Sequence, residues 1–409
     1  MTVLKMAWRN LWRNPRRTII TTFSMFFGLT MMIVTYALMD GMANQMVDYA
    51  TLLGTGHVQV HHPDFLEERS LYYSIEGFTE VLEKIEVTGI GSASPRSYST
   101  ALLSSGSHSA GGLLWGIDPE MERNVTDLHR HVDRGSFLGP DDRGTVVLGK
   151  HLANTLGLEP GDELVVLSQA ADGSLGNEIY IVGGVLKSVN EALDRGGVLV
   201  HREDLDALAV LNGKVHEIAI RLNNPEGVQT AAGELSAVLG PMGLQVKTWK
   251  ELVPEIAEYM ELSRSSTSIV LFIIFAAASL GIMNTQLMAL FERTREIGVM
   301  RALGLGPFKV AFLILAETLF LTVLAAAIGG LAGTIWALHL EKHGWDITNL
   351  GGSFAFGGVT FDPFLHASLT HSAVIDSVGI MILVAFLATL YPLFLATRIT
   401  PVDAIGRSR

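Results

Sequence analysis

"ERTREIGVMRALGLGPFK" (residues 292–309) separates two long apolar runs with a short charged segment. Four of its first five residues are charged, and Arg301 and Lys309 follow. Ile297, Met300, Arg301 and Gly304 fall at helical spacing, and Gly304, Gly306 and Pro307 supply a stop. The flanking runs, 265–291 and 310–338, each exceed the roughly 20 apolar residues that a bilayer span needs. The stretch is therefore expected to be a short helical loop between two membrane spans.

Two further runs qualify. Residues 18–39 carry no charge, and 377–397 lie between Asp376 and Arg398. Glu317 is the one acid in the third run, which also holds the small-residue stretch "AAAIGGLAG" (325–333). Small residues let membrane helices approach closely, so that face is expected to pack on protein. The whole chain agrees with this reading. It is 49% hydrophobic and 17% charged, where a soluble domain carries about 25% charged residues, and its mean hydropathy is +0.36. Without cysteine, disulfides and thiolate metal sites are excluded. A net charge of -12 argues against a nucleic-acid partner.

Basic residues near the span ends set the direction. The segments 1–17, 292–309 and 398–409 hold 12 of the 29 Lys and Arg residues but 3 of the 41 acids. All three are expected on the cytoplasmic side, with both termini inside an inner (cytoplasmic) membrane. Residues 40–264 and 339–376 then lie outside. The first run is too long for a signal peptide and lacks a small-residue cleavage site. "LKMAWRNLWRN" (4–14) reads as an amphipathic helix at the interface, ended by Pro15.

The outer segment is strongly acidic, with 32 acids against 16 basic residues over 41–264. Strand-like runs occur at 57–61, 145–149, 163–168, 179–186 and 217–222, and helix-like runs at 150–156 and 227–239. The fold class expected is an α-helical membrane protein with four transmembrane helices. A large extracytoplasmic mixed α/β domain, an α/β base with a β-rich insertion near 100–200, lies between the first two. The segments 40–53 and 251–264 look like outward extensions of those spans.

Candidate chemistry is sparse. His57, Gln59 and His61 share one face of a strand and Val58 and Val60 the other, the pattern of a half-buried strand rather than a metal site. The histidines at 129 and 131 carry no stronger signal. No G-x-S-x-G elbow, H-E-x-x-H pair or P-loop occurs, so no catalytic, cofactor or metal residue is assigned and no nucleotide-hydrolysing site is expected. Glu317 is a candidate intramembrane functional acid. Its position about 12 Å along the helix from Lys309 favours snorkelling to, or pairing with, the basic rim.

Four motifs in order resemble the permeases of the MacB, FtsX and LolC/LolE superfamily of ABC systems. These are "AWRNLWRNPRRT" (7–18), "VVLGKHLANTLGLEPGDELVVL" (146–167) with "IVGGVL" (181–186), "ERTREIGVMRALG" (292–304) and "YPLFLATRITPVDAIGR" (391–407). The resemblance implies an ABC ATPase dimer on the cytoplasmic face, with ATP and Mg bound there and no cofactor in this chain. With only 17 residues before the first span, a separate ATPase subunit is expected. It implies a second permease copy or paralogue, with a periplasmic adaptor or chaperone as a further partner. It also implies an ATPase-coupling role for Glu292, Arg293, Thr294, Arg295, Glu296, Ile297, Gly298, Arg301 and Gly304. "LMDGM" (38–42) and "GHVQVHHPDF" (56–65) are similar to the LolC/LolE branch, which extracts lipoproteins from the inner membrane. Phe23, Met25, Phe26, Phe27, Met31 and Met32 would then offer acyl chains and membrane lipid a soft apolar surface. Ordinary packing is the competing reading of those six. Two other outcomes stay open: MacB-like efflux of peptides or small amphiphiles, and FtsX-like control of a cell-wall hydrolase without transport.

Overall fold

The structure, a computed structural model, describes all residues except 1, 14, 189, 347–354, 357–358, 361–363 and 401–409. Asp403, Arg407 and Arg409, and the end of the fourth motif, lie outside the described residues. The chain divides into a helical unit (1–44, 261–347 and 364–409) and a sheet unit (45–260 and 348–363).

The helical unit has six main helices. Helix α1 spans Thr2–Arg13, α2 Pro15–Ala50, α3 Pro254–Glu292, α4 Thr294–Ala302, α5 Pro307–His343 and α6 His371–Arg398. Helices α2, α3, α5 and α6 are each long and apolar enough to cross a membrane. Their outward faces are apolar: Phe272 is 71% exposed, Leu331 and Ile335 66% and Ile375 70%. Such continuous apolar surface suits lipid, not water. Both expected extensions are continuous helix. Helix α2 runs to Ala50 and passes into a π-helical turn, Thr51–Thr55, and α3 begins at Pro254.

The small-residue stretch of α5 does pack on protein. A Cβ on Gly329 would lie 2.9 Å from the Phe26 carbonyl oxygen, and one on Gly333 would lie 3.1 Å from Ile33. The Thr30 hydroxyl donates to the Gly329 carbonyl at 3.2 Å. Two glycines four apart thus let α2 and α5 touch backbone to backbone. Helix α1 packs on α5 as well, through Ala7, Leu313 and Ala316, with Trp8 edge-on to Phe320 at 5.6 Å. Leu4, Trp8 and Trp12 stay exposed, so the apolar face of α1 is shared between the bundle and its surroundings.

The sheet unit holds strands β1 (Val58–His61), β2 (Gly91–Ser105), β3 (His108–Ile117), β4 (Val132–Gly135), β5 (Thr145–Leu148), β6 (Glu163–Gln169), β7 (Leu175–Leu186), β8 (Gly197–His201), β9 (Glu217–Leu222) and β10 (Gln245–Thr248). They belong to one sheet in the order β10-β1-β9-β2-β3-β8-β5-β7-β4, with β6 bridging β2 and β7. That bridge closes a circuit, β2-β3-β8-β5-β7-β6. Leu103, Leu114, Leu164, Val166, Tyr180 and Val200 belong to the core cluster built on these strands. Strands β9, β1 and β10 extend the sheet from the other end of β2. The strands of 100–200 and those of the α/β surround therefore share one sheet through β2. Gly149 is required where chains converge, since a Cβ there would fall 1.9 Å from the Leu193 carbonyl oxygen.

Strand β1 corrects one expectation. It lies between β9 and β10 and is buried on both faces, not half-buried, with His57, Gln59 and His61 all covered. His57 and Gln59 are tolerated there because each finds a backbone partner, while His61 turns Nδ1 to the His62 carbonyl at 3.0 Å and keeps Nε2 buried without one. His57 Nδ1 accepts from the Leu222 amide at 3.0 Å, and Gln59 donates to the Thr55 carbonyl at 2.9 Å. Among the described residues no cluster of three or more metal-ligating side chains occurs.

Candidate functional site

The charged stretch folds as the end of α3, a break at Arg293, the nine-residue helix α4 and a glycine turn. Gly304 closes α4 with φ 96°, a left-handed conformation that suits glycine. The Gly304 amide donates to Arg301 and the Leu305 amide to Met300, each at 3.0 Å. Gly306 then caps α5 and Pro307 opens it, where its missing N–H is no loss.

The residues of this stretch divide into an inward and an outward set. Ile297 and Gly298 are buried, and Ile297 packs with Leu290, Val310, Ile314 and Ala396. Arg301 turns towards the end of α6 and donates to the carbonyls of Thr397, at 3.2 Å, and Ile399. The Thr294 hydroxyl returns to the Leu290 carbonyl at 3.0 Å. Glu292, Arg295 and Gly304 face outward.

Arg293 belongs to the inward set. Its Nη1 donates to both carboxylate oxygens of Glu317, at 3.0 and 2.9 Å. Its Nε reaches Glu296 at 3.4 Å. Asn10 of α1 donates to the same Glu317 at 2.7 Å, and Arg13 of α1 pairs with Glu296. Glu317 is thus a buried acceptor that ties α1, the α3–α4 junction and α5 together. The expected pairing with the basic rim is present, with Arg293 as the partner. Gln286 and Thr318 add a buried hydrogen bond between α3 and α5 at 3.0 Å.

The outward set includes residues that the sequence reading missed. Leu303 is 84% and Phe308 86% exposed, and Val299 is exposed beside them. Apolar residues next to a span read as part of it. Leu303 and Phe308 flank the two glycines of a stop signal, the one clue that they sit on a turn. Arg295 is exposed on the same segment.

The six candidate lipid-contact residues also divide. Phe23 and Phe27 are exposed on α2 and stacked at 6.4 Å, with Phe26 and Met31 half-covered. Met25 and Met32 do not face outward. Each is 2% exposed, and they line a cavity of about 20 Å³ with Ile274, Phe275, Ala278 and Met381. That space has room for about one water, so no acyl chain fits. Their methionine flexibility fills a gap between helices instead.

Two family descriptions match the chain: "MacB-like periplasmic core domain" over residues 18–238 and "FtsX-like permease C-terminal" over 268–401. The lipoprotein-releasing system transmembrane protein LolC of Xylella fastidiosa (strain Temecula1) is 25% identical over 327 residues, 77% of this chain and 78% of that protein. LolC of Neisseria meningitidis serogroup B is 25% identical over 332 residues, 78% of each chain. The corresponding LolE of Haemophilus influenzae is 22% identical over 355 residues, 85% of this chain and 81% of that protein.

Proposed function

The chain belongs to the ABC transporter permeases that join a MacB-like periplasmic core domain to an FtsX-like permease domain, and on that premise we propose that it releases lipoproteins or other lipid-anchored cargo from the inner membrane. In this reading a separate ABC ATPase, holding ATP and Mg, drives the motion. The sheet unit lies in the periplasm, and α1, α4 and both termini lie in the cytoplasm. A second permease chain completes the complex.

The observation that carries the reading is the joint at α4. Its outward surface, Arg295, Val299, Leu303 and Phe308, is what an ATPase would grip. Its inward side is fixed to three other helices through Arg293, Glu317 and Arg301. A force on α4 therefore moves the end of α3. Helix α3 runs unbroken for 39 residues, about 58 Å, and its residues 254–260 belong to the sheet unit. The motion is mechanical, and no chemical step occurs in this chain.

The likeness to LolC and LolE supports lipid-anchored cargo. The exposed Phe23 and Phe27 give acyl chains a contact on α2. Photo-crosslinkers placed at these two positions in living cells test it. Capture of acylated proteins is expected. Capture of bulk phospholipid alone would sink the cargo assignment and leave the permease one intact.

A further inference from the structure

Strand β2 changes neighbour along one side. Gly91–Arg96 pair with β9, and Ala101–Ser104 pair with β6. Between them, residues 97–100 have no ladder partner on that side among the described residues. The gap opens into a cavity of about 550 Å³ within the sheet unit, a size typical of small-molecule sites. Phe65, Tyr98, Trp115 and His216 wall it. Tyr98 stands edge-on to Trp115 at 5.4 Å, and Phe65 stacks on His216 at 5.5 Å.

The fully buried charges beside this cavity do not cancel. Arg96 is 1% exposed. It gives Nε and Nη2 to Glu122, at 3.2 and 2.7 Å, and Nη1 to the Gly54 carbonyl and Glu217, at 2.8 and 3.0 Å. Ser94 and Thr126 also donate to Glu122, each at 2.8 Å. One guanidinium therefore faces two buried carboxylates. Glu122 takes the fork and lies off the cavity, leaving Glu217 on the cavity wall as the under-compensated acid. Burial, with a smaller push from Glu122, raises the Glu217 carboxyl more than Arg96 and the hydrogen bond from the Tyr98 side chain lower it. On Glu122, by contrast, Arg96, Ser94 and Thr126 outweigh burial and hold the carboxyl down.

The other polar groups on the wall are already engaged. His216 Nδ1 accepts from the Tyr98 amide at 3.0 Å and Nε2 faces the Leu71 carbonyl at 3.2 Å, which assigns a neutral ring. Burial pushes its pKa down and keeps it neutral. Glu251 is held by Lys247 and Thr248. Arg69, at the rim, is exposed.

We propose that this cavity binds an organic ammonium ion with an apolar body, the cation on Glu217 and the body against Phe65, Tyr98 and Trp115. A buried acid short of positive charge and a set of aromatic faces both favour a cation. An anion would meet Glu217 and the π-faces and be repelled. A neutral ligand would leave the acid as it is. The negative charge of segment 41–264 raises the local cation concentration outside the cavity. The site is independent of the coupling joint and of the identity of the cargo.

Calorimetric titration of the full chain in nanodiscs tests this, with empty nanodiscs as the blank. The probes are phenethylammonium, the neutral 2-phenylethanol and the anionic 3-phenylpropionate. Saturable one-to-one binding of the ammonium alone is expected. Glu217→Gln should weaken it at least about tenfold, the loss of one charge-assisted contact. Leu113→Trp, which fills the cavity and keeps every charge, should abolish it while thermal unfolding stays cooperative. If Glu217→Gln does not fold, Leu113→Trp decides alone. Equal binding of all three probes, no saturable ammonium binding, or full binding by the folded Leu113→Trp variant overturns the proposal.

Discussion

The Arg293 guanidinium holds both oxygens of the Glu317 carboxylate, at 3.0 and 2.9 Å, with the two side chains 12% and 6% exposed. The pair joins the end of α3 to the first turns of α5 in a place with little water. Removing one partner of such a pair leaves the other as an uncompensated buried charge. Glu317→Ala should therefore destabilise the helical unit by about 3–5 kcal/mol. The Arg293→Met/Glu317→Leu double variant should recover most of that loss. Denaturation in detergent micelles measures both, and an unchanged Glu317→Ala midpoint would show that the pair contributes nothing.

A contrast within α4 and its turn follows from burial. Ile297→Ala removes packing against Leu290, Val310 and Ile314 and should cost about 2–5 kcal/mol. Leu303→Ala, on an exposed side chain, should stay within about 0.5 kcal/mol. Stability measured on both variants checks the inward and outward assignment, and equal losses would refute it.

The glycines of α5 give a positional test. Gly329→Ala puts a methyl 2.9 Å from the Phe26 carbonyl oxygen, while Gly330→Ala meets nothing within 4 Å. The first should cost about 1–3 kcal/mol as α2 is pushed away. The second should be neutral or slightly stabilising, since alanine favours helix. Thermal unfolding of the two variants, side by side, reads the difference.

Acid should weaken the sheet unit through His57. Burial, with a smaller push from Arg221, lowers its pKa to about 4, from an unfolded value near 6.5. Below about pH 6.5 the unfolded chain binds a proton that the folded ring refuses, so stability falls with pH until about pH 4. Its contribution is complete above pH 6.5 and lost as pH drops through that window. His57→Gln keeps an acceptor for the Leu222 amide and should flatten the slope. Tm measured from pH 7.5 to 4.5 on both proteins tests this, and parallel profiles would contradict it.

Local chemistry made the joint legible in sequence. Charges between two spans, then Gly304, Gly306 and Pro307, specify a short helix and a stop without any knowledge of the rest of the fold. The partners of the charged residues were not legible. Arg293 meets Glu317 only because α5 returns beside α3, and periodicity is silent on such pairings. The same limit explains Met25 and Met32. Within a uniformly apolar helix, no pattern separates a face that packs on protein from one that meets lipid. Strand β1 misled for another reason: polar residues alternating with valine resemble a half-exposed strand, and nothing local announces that the Leu222 amide and the Thr55 carbonyl take up His57 and Gln59. The cavity beside Glu217 depends on β2 exchanging β9 for β6, strands more than 40 residues apart in sequence, so no local stretch announces it.

In the proposed mechanism the outward surface of α4 and its turn receives force from a separate ATPase. Photo-crosslinkers at Leu303 and Phe308 in cells probe that contact, with Ile297 as the buried control and mass spectrometry identifying what is captured. The prediction is an ABC ATPase carrying its own P-loop, caught at both exposed positions and not at Ile297. Capture of lipid alone or a second copy of this chain at Leu303 and Phe308, with no ATPase, would contradict it.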